Sequence, residues 1–286
     1  MPSSRAVLVL GMHRSGTSAL ARGLQMLGVY LGSDFLSPQP DNPTGYWEDR
    51  NIYDLNERLL AVFGLKWEEV ALIDDDRWDR PEVEALRAEA VDYLGSQFVS
   101  HPLWGFKDPR TIRLLPFWHS ALHRLEVDEC YLVVVRNPRS VAASLIKRHG
   151  MDAVTAHMLW LVYVVPNLSK IAHRPFVVTD YDLLLEDPRR QLERIARGLK
   201  IPVNDTSTAG MEQFAGDFLD PNLRHSYFNA SDFETDLNLP PLTREAYLWL
   251  RALATDRVET DSPRFWSAWE ASRKAVKRII AGAGSS

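Results

Sequence analysis

The feature that most constrains this chain stands at its start. Ala6 to Leu10 is an unbroken apolar run closed by Gly11, the octet Gly11-Met12-His13-Arg14-Ser15-Gly16-Thr17-Ser18 follows, and a helical pattern then begins. Consecutive apolar residues without alternation read as a strand buried on both faces, the habit of parallel sheets. Leu20, Leu24 and Leu27 recur at the spacing of one helix face, and Gly28 is a natural stop. A strand, a glycine-bounded loop and a helix in this order leave few architectures open.

The same alternation continues. Residues 104–107, 131–135 and 176–179 read as further strands. Residues 51–63 and 81–99, a segment opening at Pro138, 153–172 (kinked at Pro166) and 188–199 read as helices. The expected fold class is α/β: a P-loop-like three-layer fold with a central, mainly parallel sheet and additional C-terminal helices. Strand signals fade after about residue 201, and 243–254 and 263–280 read as helices. The expected organisation is one domain over 1–286, with a sheet core at about 5–200 and a helical extension at about 201–286. Residues 29–49 carry Pro38, Pro40 and Pro43 and exclude a regular helix. A loop of that length in a compact domain is often functional.

Composition removes several classes. A net charge of −5 argues against a nucleic-acid partner, although it leaves room for one basic cleft. The single cysteine, Cys130, lies within an apolar run and reads as a buried strand thiol, so no disulfide framework is expected. The apolar run before Gly11 is too short for a signal segment, and no later stretch suits a bilayer span. No stable membrane insertion is expected, and a cytoplasmic location is the default expectation.

Two segments carry chemistry. In residues 11–18, backbone N–H groups of the loop and helix start converge on one point and favour an anion. Arg14 adds a fork of donors, and Thr17 and Ser18 add hydroxyl donors. Thr17 stands where a nucleotide P-loop carries lysine, which weakens an ATPase or GTPase reading. The competing reading is a strand-to-helix turn whose Ser and Thr only cap the helix. The second segment runs from Arg136-Asn137-Pro138-Arg139 to Ser144, directly after the strand at 131–135. Parallel strands present their C-terminal ends on one edge, so Arg136 is expected near the first loop. Ser144 joins it only if the helix from Pro138 lies along the ligand. A solvated basic turn is the alternative.

These two segments, in this order, resemble the two cofactor motifs of the sulfotransferase family, and Tyr181 to Pro188 resembles a further recurrent segment of it. The resemblance covers about residues 6–200. It implies that 3′-phosphoadenosine-5′-phosphosulfate is the donor, with Arg14, Ser15, Gly16, Thr17 and Ser18 on the 5′-phosphosulfate and Arg136 and Ser144 on the 3′-phosphate. Arginine at position 14 is closer to the tyrosylprotein and carbohydrate branches than to the cytosolic aryl-alcohol branch, which carries lysine there. The implied acceptor is a hydroxyl or amine of unassigned identity, with a carbohydrate or lipid-linked molecule as an analogy.

Sulfuryl transfer needs a cation on the departing phosphate and an acceptor for the incoming group's proton, and no metal is required. Arg14 is assigned the first role. Lys107, in Phe106-Lys107-Asp108-Pro109-Arg110, is a second cation for it, unless it pairs locally with Asp108. Glu48, in Tyr46-Trp47-Glu48-Asp49, is the base candidate, unless it and Asp49 merely favour a helix start. Asp49 and His13 are the next bases. His119 and His123 sit four apart on an expected helix without a third ligand, so no metal site is expected. Tyr46, Trp47, Trp67 and Trp78 could line an acceptor cleft, although core packing is their commoner use. Arg224 and His225 are candidate late contacts. Arg273, Lys274, Lys277 and Arg278 form a basic helix face that reads as solvated. The competing functions are a P-loop kinase or NTPase, supported by the strand ending at Asp180, and a catalytically silent nucleotide-binding module.

Overall fold

The computed structural model describes residues 4–39, 45–218 and 239–283. Its centre is a parallel sheet of β1 (Arg5–Leu10), β2 (Leu103–Lys107), β3 (Asp128–Val135) and β4 (Phe176–Asp180), in the order β2-β1-β3-β4. Val9 of β1 lies between Lys107 and Leu132, so the C-terminal ends of β1, β2 and β3 share one edge.

The pleat explains the even apolar run at the start. Val7 and Val9 face Leu20 and Leu24 of α1 (Thr17–Met26) and Leu192 and Ile195 of α8 (Pro188–Gly198). Ala6, Leu8 and Leu10 face the opposite layer. That layer contains α2 (Arg50–Val62), α3 (Pro81–Gln97), α4 (Leu115–Arg124), α5 (Pro138–His149) and α6 (Ala153–Leu168). Both faces of the sheet are covered, as the strand composition requires. The helices after β1 and β3 leave on opposite faces. That divergence opens a crevice beyond the strand ends, where ligands of open α/β sheets bind.

The expected strands and helices are present, with differences that have local causes. β3 begins three residues early because Asp128, Glu129 and Cys130 pair through their backbones with Arg5, Ala6 and Val7. The helix expected over 153–172 closes at Leu168, and a 3₁₀ turn at Ser169–Ile171 follows. Pro166 sits inside α6 and cannot donate to the Val162 carbonyl. The Asn167 side chain donates to that carbonyl instead, at 3.0 Å, and to Tyr163 at 2.9 Å. Two short helices escaped the sequence reading: α7 (Tyr181–Glu186), capped by Asp180, and α9 (Asp205–Gln213), opened by an Asn204/Ser207 capping box.

The C-terminal helices α10 (Pro241–Ala254) and α11 (Pro263–Ala283) pack onto the sheet layer. Tyr247 donates to Asp180 at 2.7 Å, and the Trp269 indole donates to the Val165 carbonyl at 3.0 Å. Cys130 is buried, 3.5 Å from the Ala6 carbonyl, and burial raises its thiol to a pKa of about 11. Among the described residues no helix is long and apolar enough to cross a membrane.

Candidate active site at the strand ends

The loop after β1 is shaped by two glycines. A Cβ on Gly11 would lie 2.6 Å from the Val134 carbonyl oxygen, so the loop approaches β3 too closely for a side chain. Gly16 has φ +87°, and a Cβ there would meet the Tyr181 ring at 2.1 Å. Arg14 also adopts a positive φ, 67°, which is uncommon for a residue with a side chain. Gly16 is the N-cap of α1, and no side chain caps that helix. The capping role considered for the loop hydroxyls therefore does not hold. The first-turn N–H groups and the helix dipole face the space beyond the loop, a setting suited to an anion.

Arg14 and Ser144 meet directly: the Arg14 Nε donates to the Ser144 Oγ at 2.9 Å. The helix opening at Pro138 thus does return its second turn to the first loop. Arg136, 8% exposed, donates from Nη1 to the Arg14 carbonyl at 3.2 Å. Its guanidinium lies 5.0 Å from the centre of the Tyr181 ring. Arg136 is therefore a buried cation braced by ring and loop, and the solvated-turn reading does not apply. Tyr181 holds both motifs, pressing on Gly16 and on Arg136. The sequence reading placed it only within a family segment, and no residue spacing betrays such a contact.

Lys107 forms the second half of the site. Its ammonium donates to Glu48 Oε1 at 2.5 Å, to the Tyr46 carbonyl at 2.9 Å and to the Ser18 Oγ at 3.3 Å. Ser18 itself donates to the Tyr46 carbonyl at 3.1 Å. Lys107 and Glu48 are 2% and 6% exposed, so this is a buried ion pair reaching the loop after β1. The local pairing of Lys107 with Asp108 is not what forms. Asp108 accepts from the Arg110 backbone and from its guanidinium, at 2.7 and 3.0 Å, and Arg110 also pairs with Glu57.

The ambiguity between Glu48 and Asp49 resolves in the same way. Asp49 caps α2, accepting from the backbone N–H groups of Asn51 and Ile52, and both its oxygens accept from Tyr93. Its oxygens are committed to the helix start, which leaves Glu48 for Lys107. Burial raises the Glu48 carboxyl above its ordinary range, against the opposing pull of Lys107. His13 packs on Trp67, with ring centres 4.3 Å apart, and among the described residues its Nε2 has no hydrogen-bond partner. Burial, with Arg110 and Lys107 nearby, holds His13 well below the ordinary imidazole value, so it is neutral at pH 7.

The remaining candidates separate from the site. Trp78 is a core residue against Phe63. Trp47 packs on Phe35 and under Arg22 on the other face of the sheet. His119 packs edge-on to Tyr131 and is lowered to a pKa of about 3, first by burial and then by Arg174 and Lys170, whereas His123 is exposed. Among the described residues no group of three or more His, Cys, Asp or Glu could hold a metal ion. Arg224 and His225 lie outside the described residues.

No family model matches the sequence, and no curated protein does. Solved structures do. The sulfotransferase STF9 from Mycobacterium avium is similar over 77% of this chain and 70% of its own, with a TM-score of 0.50 and 16% identity. The sulfotransferase domain of the Synechococcus PCC 7002 olefin synthase is similar over 91% and 97%, with a TM-score of 0.46 and 18% identity. The sulfotransferase STF1 from Mycobacterium tuberculosis H37Rv is similar over 73% and 71%, with a TM-score of 0.43 and 18% identity. The expected fold is thus the one observed: this chain has the fold of the sulfotransferases.

Proposed function

We propose that the chain is a sulfotransferase that moves a sulfuryl group from 3′-phosphoadenosine-5′-phosphosulfate to a hydroxyl or amine acceptor. The observation that carries this reading is the meeting of two cationic sets at one sheet edge. Arg14 and Arg136 flank the first loop, and the Lys107–Glu48 pair reaches the same loop through Ser18. The donor fits these residues by charge: its anionic groups would face Arg14, Arg136 and the Lys107 ammonium at one sheet edge. The main-chain N–H groups of 14–18, with Arg14, would hold the phosphosulfate. Arg136, with the Ser144 hydroxyl, would hold the 3′-phosphate.

In the reaction a bond forms between sulfur and the acceptor atom while the bond from sulfur to the bridging phosphate oxygen breaks. Arg14 and Lys107 offset the charge that grows on that oxygen. Glu48 takes the acceptor's proton. The leaving molecule is 3′-phosphoadenosine 5′-phosphate. No metal is assigned a role.

The first test is nucleotide choice. Calorimetric titration is expected to favour 3′-phosphoadenosine 5′-phosphate over AMP. Arg136→Ala should reduce that preference by about tenfold or more, because a charge-assisted contact contributes roughly 1.5–3 kcal/mol. Equal affinity of the native chain for the two nucleotides would remove Arg136 from this role.

A kinase or NTPase reading would need Asp180 as a metal ligand. Its carboxylate instead accepts from the Asp182 backbone at 2.8 Å and from Tyr247 at 2.7 Å. Burial, and then Asp182, push it up to about 6 from the usual 3.8. Between these values the folded chain holds a proton that the unfolded chain has lost. This group's contribution to stability therefore falls as pH rises from about 4 to about 6. Asp180→Asn should abolish that fall, leave the melting temperature at pH 7 unchanged or higher, and retain transfer. Loss of transfer in a folded Asp180→Asn variant would count for metal chemistry instead.

A further inference from the structure

The terminal basic helix face, which the sequence suggests is merely solvated, contributes to a cavity apart from the strand-end site. This cavity of about 200 Å³ lies between residues 71–75, the end of α6 and α11. Its lining brings Arg113, Lys170, Arg273 and Lys277 together against one carboxylate, Asp75. The whole chain carries a net charge of −5, so four cations around one small space are not a reflection of average composition. The volume is below the roughly 300–1,000 Å³ of pockets for drug-sized molecules.

The four cations are not equally engaged. Arg113 is 3% exposed and donates to the carbonyls of Trp67 and Ala71 at 3.3 and 2.8 Å, so it builds the wall. Arg273 is shared with Glu270 at 2.6 Å. Among the described residues, Lys170 and Lys277 form no ion pair. The Lys170 ammonium stands 5.8 Å from the Trp78 ring centre, and burial lowers its pKa to about 8, opposed by Asp75 at a distance. A half-buried ammonium with no carboxylate partner among the described residues is unfavourable, and a bound anion would offset that cost. Leu72, Val162 and Pro166 supply an apolar side to the same space.

We propose that this cavity is an anion-binding site separate from the phosphate loop, taking a small phosphorylated organic molecule. The phosphoryl group lies between Lys170, Lys277 and Arg273, and a short carbon skeleton lies on Leu72, Val162 and Pro166. The inference does not depend on the proposed sulfuryl transfer.

The test is calorimetric titration of the full chain in phosphate-free buffer with two probes, inorganic phosphate and glycerol 3-phosphate. Both are expected to bind, the ester more tightly because it also uses the apolar side. Lys170→Met with Lys277→Met should weaken both by about tenfold or more, since two charge-assisted contacts are lost while the aliphatic stems remain. Saturating 3′-phosphoadenosine 5′-phosphate, added beforehand to fill any site at the strand ends, should leave both affinities unchanged. If the double variant does not fold, Lys277→Met alone, on the exposed side of α11, should still weaken both. Unchanged affinity in the folded lysine variants, displacement of both probes by 3′-phosphoadenosine 5′-phosphate, or no binding of either probe at about 10 mM would overturn the site. Tighter binding of inorganic phosphate than of the ester would overturn the organic ligand.

Discussion

Glu48→Gln is expected to bind nucleotide like the native chain and to slow transfer to a hydroxyl acceptor by about 10²–10⁴-fold, the usual worth of a positioned general base. Glutamine keeps the shape and can still accept from Lys107, but it cannot take a proton. The measurement is single-turnover transfer at saturating donor, because product release can hide a slowed chemical step. A pH series gives a second readout. Burial raises the Glu48 carboxyl above its ordinary 4.5, and only the ionised form accepts the acceptor's proton. Native transfer should therefore fall as pH drops through that raised value, and Glu48→Gln should lose this limb. A variant with the native single-turnover rate and the same acid limb would confine Glu48 to holding Lys107. His13, with its unpartnered Nε2, would then be the next base, because the Asp49 oxygens are committed to Tyr93 and the start of α2.

The layering was legible because burial on both faces leaves a mark in one dimension. The runs at 6–10 and 131–135 carry no alternation, and the structure buries both of their faces. The two motifs around Arg14 and Arg136 were legible because parallel strands bring their ends to one edge. What stayed hidden depends on partners far away in the chain. Nothing near Glu48 and Asp49 says which one caps a helix. The answer lies with Lys107, 59 residues on, and with Tyr93, 44 residues on. Lys107 and Asp108 are adjacent, yet they go to different partners because successive residues at a strand end point to different sides. Tyr181 is a sharper case. Its ring is the reason Gly16 can only be glycine, and the two residues are joined only through the packing of α7 against the loop.

Removing the cation from the buried pair should have the largest effect on the fold. Lys107→Met preserves the aliphatic stem but leaves Glu48 buried among its former contacts without a counter-charge. Breaking a buried pair by deleting one partner costs about 3–5 kcal/mol, whereas replacing both partners by groups of similar size is often close to neutral. The expected order of stability by urea unfolding is therefore native, then Lys107→Met/Glu48→Gln, then Lys107→Met. The double variant should regain much of what the single one loses, because its remaining amide has no charge to bury. The single loss should also be larger at pH 7 than at pH 5. Without Lys107 the Glu48 pKa rises further, so at pH 5 the folded chain can protonate the carboxyl while the unfolded chain is still largely ionised. That sign sets the test apart from a packing defect, which would not change with pH. A loss that is equal at both pH values, with no recovery in the double variant, would mean that Lys107 acts through its hydrogen bonds to Tyr46 and Ser18. The link between residues 45–48 and the loop after β1 would then be held by those two contacts rather than by charge.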